Sequence, residues 1–177
     1  MALNQVSQQV LTAVYSRLSS ATTGFNPGIA TNASNYSLSP TFVQIDWSAQ
    51  SSNFYFAQID PELLEKSGIL RYPFACMYIK ESAQTGTQKF NQFSGAIRCI
   101  LEVNLSWANI KGIQNTEAYP NCVEDVVFDV INRVENQNWG KPLVYNGGIQ
   151  CKRGPLIYGA QNFRQVVGFS MLFELHQ

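Results

Sequence analysis

The side chains that could do chemistry are few and scattered. The chain has one histidine, His176, next to its last residue, and four cysteines, Cys76, Cys99, Cys122 and Cys151, each more than twenty residues from the next. Zinc sites draw on closely spaced Cys and His pairs, and this sequence has none. Glu62 with Glu65 and Asp125 with Asp129 are carboxylates at helical spacing, read as solvated helix faces rather than acid–base pairs. There is no GxSxG elbow, HExxH helix, P-loop or GxGxxG turn. Trp47, Trp107, Trp139 and eight tyrosines could stack bases, but Lys plus Arg and Asp plus Glu each number 12. With net charge zero there is no basic surplus to neutralise phosphates, so the aromatic residues are assigned to core and interfaces. No catalytic residue, cofactor or metal is expected.

Composition points the same way. Of the 177 residues 45% are hydrophobic and only 14% are charged, with polarity carried by Asn, Gln, Ser and Thr. A chain of this length buries a core without staples. Low charge leaves little repulsion between copies. The start, Met1-Ala2-Leu3-Asn4-Gln5-Val6, has no basic segment followed by an apolar run, and no stretch is long and apolar enough for a membrane span. The expectation is synthesis in a cytoplasm, with four free, mostly buried thiols. The sequons at Asn32, Asn35 and Asn104 are then chance matches.

The positioning elements follow from periodicity. Leu3, Val6, Val10, Val14 and Leu18 predict an amphipathic helix over about residues 2–19. The polar stretch Ala21–Pro40 reads as a long loop. Thr41–Trp47 alternates like a strand, Asn53–Ile59 is a short apolar run, and Asp60-Pro61-Glu62 opens a short helix ended by Gly68. Tyr72–Ser82 reads as a strand and Ala83–Gln92 as a loop.

The strongest pattern is next. Phe93, Ile97, Cys99, Leu101, Val103, Leu105 and Trp107 fall on one face, with Arg98, Glu102, Asn104 and Ser106 opposite. Fifteen alternating residues at about 3.3 Å each would span roughly 50 Å. A compact chain of this length is only about 40 Å across. Such a strand must bend or project, and projecting edges seek partners.

After a loop at Ala108–Pro120, Asn121 is expected to cap a helix running to Val134, with Glu124 completing a partial capping box. Its stripe is Val123, Val126, Val127, Val130, Ile131 and Val134. Leu143–Tyr145 and Ile149–Cys151 flank Asn146-Gly147-Gly148, a hairpin signal. Phe163–His176 is a second long alternating strand, with Gly168 a candidate bulge. The fold class is therefore α+β: one domain over residues 1–177, an antiparallel sheet with two very long strands, and one face packed by helices.

This order of elements resembles the tail terminator or tail-completion proteins found at the neck of tailed bacteriophages. The resemblance covers most of the chain and lies in pattern, carried by Phe93–Trp107, Asn121–Val134 and Phe163–His176. It implies a structural virion subunit, made in the host cytoplasm, that forms a homo-oligomeric ring, six-fold in the family pattern. The ring would join the tail tube protein to the head-side connector protein, with DNA passing unread through its lumen. It implies no catalysis, cofactor or membrane. The residues expected at the interface are Gln84, Gln88, Lys89, Phe90, Asn109, Lys111, Gln114 and Asn115, in the loops flanking the first long strand. Another tail-tube or baseplate ring subunit is the alternative within the class. A curved-sheet protein binding a small ligand is the alternative outside it.

Overall fold

The helical stripes and the alternating strands meet across a single layer boundary. In this computed structural model, the described residues are 6–48, 53–61, 71–84, 95–108, 116–133, 137–140, 143–145, 147–159 and 161–175. Among them a mixed, mostly antiparallel sheet carries helices on one face, an α+β fold. Its strands are β1 (Phe54–Tyr55), β2 (Phe74–Gln84), β3 (Gly95–Ala108), β4 (Leu143–Tyr145), β5 (Gln150–Arg153), β6 (Ile157–Tyr158) and β7 (Asn162–Leu175). The order is β1-β2-β3-β7, with β4, β5 and β6 all on the far side of β7.

The two long strands are neighbours, as their patterns predict. All 14 residues of β3 pair antiparallel with β7, from Gly95↔Leu175 to Ala108↔Asn162. Ile97, Cys99, Leu101, Val103, Leu105 and Trp107 share one face with Phe163, Val167, Phe169, Met171, Phe173 and Leu175, and all are buried. Both strands are interior to the sheet order, but β2 stops opposite Asn104, so Leu105–Ala108 of β3 have no partner on that side among the described residues. Gly168 is no bulge: it pairs in register with Glu102 on one side and Lys152 on the other.

Among the described residues α1 (Val6–Leu18) and α3 (Ala118–Asn132) pack on the apolar face, and α2 (Phe25–Asn32) packs on α3. In α1 the stripe Val6, Val10, Val14 and Leu18 is buried. Leu3 lies outside the described residues. In α3, Cys122, Val123, Val126, Val127, Val130 and Ile131 are buried, and packing supplies what the β-branched valines lose in helix propensity. None of the described helices is long and apolar enough to cross a membrane.

Four expectations are corrected. First, the loop at 21–40 contains α2 and a 3-10 turn, Ala33–Tyr36. Pro27 sits in the first turn of α2, where no N–H is required, and Phe25, Ile29 and Ala33 are buried at i, i+4, i+8 spacing. Second, Asn121 is not a cap. The helix starts three residues earlier because Pro120 also fits in a first turn, and the Asn121 N–H already bonds the Glu117 carbonyl at 3.1 Å.

Third, Thr41–Trp47 buries Val43, Ile45 and Trp47 alternately, yet joins no strand ladder. Two asparagine amides stand in for the missing strand. Asn26 donates to the Ile45 carbonyl at 2.7 Å and accepts from the Ile45 N–H at 3.1 Å. Asn53 donates to the Gln44 carbonyl and accepts from the Asp46 N–H, both at 2.9 Å. A carboxamide offers the same donor–acceptor pair as a peptide unit, so it satisfies this backbone just as well.

Fourth, the segments around Gly147-Gly148 form no hairpin. β4, β5 and β6 are successive pieces of one interrupted edge strand, each antiparallel to β7. Tyr145 and Gln150 are five apart while their partners Phe173 and Ser170 are three apart, so two residues loop out. Gly147 and Gly148, at φ 81° and 79°, provide the left-handed backbone that this interruption needs. The short helix expected from Asp60 to Gly68 lies almost wholly outside the described residues.

Arg153 ties this edge to α3. It bonds Glu117 at 2.8 Å, Asn121 at 2.6 Å and Glu124 at 3.2 Å through Nε, with Nη2 also on Glu124. The residues expected to form a capping box thus serve an arginine from the sheet instead.

Candidate functional site

The described carboxylates among the chemically capable residues have local partners. Asp125 accepts a hydrogen bond from the Tyr36 hydroxyl and Asp129 pairs with Arg133, so each has a surface structural partner. Glu62, Glu65 and His176 lie outside the described residues. Trp47, Trp107 and Trp139 are buried among other rings: Trp107 stacks on Tyr119 at 4.7 Å, and the Arg17 guanidinium lies 3.5 Å over Trp139. Among the described residues no cluster of His, Cys, Asp or Glu could hold a metal ion.

All four cysteines are free, and only Cys151 is partly exposed. Burial raises the Cys76 and Cys99 thiols to about 12, and Cys122 and Cys151 to about 11, with Glu102 adding to the rise at Cys76 and Glu124 at Cys151. The hydrogen bond to Asp125, followed by burial, raises the Tyr36 hydroxyl to about 12. Each group holds its proton more tightly in the folded state. Their contribution to stability is therefore complete below the ordinary thiol value and is lost as pH rises from there towards 12. The melting temperature should fall steadily above roughly pH 9, and a flat profile to roughly pH 11 would contradict these assignments. A thiol reagent should count four groups in the denatured chain and label the native protein far more slowly.

Of the expected interface residues, only Gln84 is described; it ends β2 and pairs with Gly95. Gln88, Lys89, Phe90, Asn109, Lys111, Gln114 and Asn115 lie outside the described residues.

Two features that periodicity did not reveal lie on the sheet itself. One is its pair of edges. β1 pairs only with Ala75 and Cys76, so Met77–Gln84 has no strand on its outer side among the described residues. A bulge extrudes Lys80 there, between the pairs Ile79↔Cys99 and Glu81↔Arg98. The opposite edge ends in β6, where Ile157 and Tyr158 are 57% and 74% exposed.

The other is the sheet face opposite α1 and α3. Register places Tyr78, Ile100, Ser170 and Gln150 in one row across it, and Cys76, Glu102, Gly168 and Lys152 in the next. A concavity of ≈510 Å3 sits over these rows, with Lys80, Arg98 and Val166 also lining it. The Glu102 carboxylate accepts from the Tyr78 hydroxyl at 3.0 Å and the Cys76 thiol at 3.4 Å. Arg98 reaches Ser170 at 3.0 Å and Glu81 at 3.4 Å. Burial and the Glu102 charge both push the Tyr78 hydroxyl up.

Arg98 and Glu102 do lie on the polar face, as alternation requires. Lys80, Lys152 and Gly168 were missed; the only hint was a glycine on the polar side of an otherwise regular strand. Comparison with known proteins adds no relative: no family model matches the chain, and no curated protein matches it significantly.

Proposed function

We propose that this chain is a structural subunit that closes head to tail into a ring, as a tail terminator or neck protein of a tailed bacteriophage. The observation that carries the reading is the pair of unlike sheet edges. One is the run Met77–Gln84, which has no outer strand among the described residues; the other carries exposed Ile157 and Tyr158. Because β2, β3, β7 and the β4–β6 edge alternate in direction, the two edges run antiparallel to each other. Copies related by rotation can then meet edge to edge in an antiparallel pairing, a heterologous contact that closes if the angle allows. The Lys80 bulge and the charge of Glu81 disfavour indiscriminate edge pairing and select a partner shaped to accept them.

In this reading the ring joins the tail tube to the head-side connector, belongs to the virion, and passes DNA without reading it. The balanced charge, 12 basic against 12 acidic residues, fits such a lumen. A tail-tube or baseplate ring subunit would use the same edges.

The test is imaging and native mass of the protein on its tail or in its assembled complex, since assembly can depend on docking. A closed ring, six-fold in the family pattern, is expected. Ile157→Glu with Tyr158→Glu should abolish the ring while leaving protomer stability within about 0.5 kcal/mol, as surface changes do. An isolated monomer in the complex would end the proposal.

A further inference from the structure

The concavity on the sheet face opposite α1 and α3 has the size and lining of a ligand site. Its ≈510 Å3 falls within the range typical of small-molecule pockets. Its lining includes the apolar side chains Ile100 and Val166 and the bare backbone of Gly168. At Gly168 the missing side chain matters: a Cβ there would already touch the Lys152 carbonyl at 3.4 Å and Glu102 Cγ at 3.9 Å. Bare backbone at this point, where β7 pairs in register with β3 and β5, deepens the depression.

The charges around it are unevenly committed. Arg98 is engaged by Glu81 and Ser170, and Glu102 by Tyr78 and Cys76. Lys80, on the bulge of β2, and Lys152, on β5, are exposed, and neither forms an ion pair among the described residues. They stand at opposite rims, three strand spacings across and between three and four residues along, roughly 18 Å apart, and flexible stems let both ammonium groups lean over the concavity between them. An exposed cation on each side of the concavity, with the one lining carboxylate already hydrogen-bonded, favours a negative guest.

We propose that this concavity binds a small amphipathic anion, a molecule with a carboxylate, phosphate or sulfonate group on an apolar body. The apolar part rests on Ile100, Val166 and the Gly168 backbone, and Lys80 and Lys152 hold the anionic group.

The probe is 8-anilinonaphthalene-1-sulfonate, titrated into the folded protein by calorimetry and fluorescence. Its neutral relative N-phenyl-1-naphthylamine and inorganic phosphate serve as comparison arms. Saturable binding at one site per chain is expected, weakening as salt screens the lysines. Lys80→Gln with Lys152→Gln should weaken it at least tenfold with an unchanged melting temperature. Both comparison compounds should bind at least tenfold more weakly than the sulfonate. Gly168→Ala, whose added Cβ makes only ordinary contacts, should weaken it severalfold without unfolding. The proposal is overturned if the lysine variant binds like the parent, or if the neutral compound or phosphate alone matches the sulfonate. Unsaturable binding overturns it too.

Discussion

Val127→Asp is expected to destabilise the protein by about 4 kcal/mol, because it buries an unpaired carboxyl group between α3 and the sheet. Val127 is fully buried, at 0% exposure, within the stripe that α3 turns to the core. Nothing cationic belongs to that stripe, so the new group either stays charged without a partner or takes up a proton at a cost of similar size. The control lies one half-turn away. Asp129→Asn removes only a surface ion pair with Arg133 and should change stability by less than about 1 kcal/mol. Urea melts of the two variants give the comparison. Equal midpoints would mean that α3 does not pack on the sheet by this face.

The second large effect is expected at Gly28, where α2 and α3 touch. A Cβ at this position would lie 2.6 Å from Val126 Cγ1, well inside van der Waals contact. Val126 is fully buried and its β-branched side chain has one favoured rotamer in a helix, so it cannot swing aside cheaply. Gly28→Ala should therefore destabilise by about 2 kcal/mol, despite the roughly 1 kcal/mol by which alanine ordinarily improves a helix over glycine. In a Val126→Ala background the obstruction is gone, and the same change should become neutral or stabilising. A double-mutant cycle reads this reversal as a coupling of about 2–3 kcal/mol. Additive effects would show that the two helices are not in contact here.

These two sites also mark how far a one-dimensional reading reaches. The stripe of α1, the stripe of α3 and the alternation of β3 and β7 were all legible. Each reflects burial on a single side, which imprints a period of 3.6 or 2 on the chain whatever its neighbours are. From Ile97 to Trp107 and from Val167 to Leu175 the buried face is the one alternation predicts. That the two strands pair, and that helices cover their common face, follows because two long one-sided strands have the same surface to hide.

What only the tertiary structure decided depends on groups far apart in sequence. α2 is short and contains Asn, Pro and Gly, so local propensity argues against it; burial of Phe25, Ile29 and Ala33 among α3, Trp47 and the surrounding core overrides that. Val43–Trp47 alternates as a strand does, but its hydrogen bonds go to Asn26 and Asn53, an arrangement no periodicity encodes. Gly147-Gly148 carries the same left-handed signal whether the chain reverses or only loops out of an edge strand, and pairing with β7 selects the second.

The sheet-face concavity was equally invisible in the sequence. Tyr78, Glu102, Lys152 and Gly168 come from four strands and become neighbours only through register. Hydrophobic periodicity records which side of an element is buried. Which polar side chains then share the other side is set by strand order and register, and those are properties of the assembled sheet.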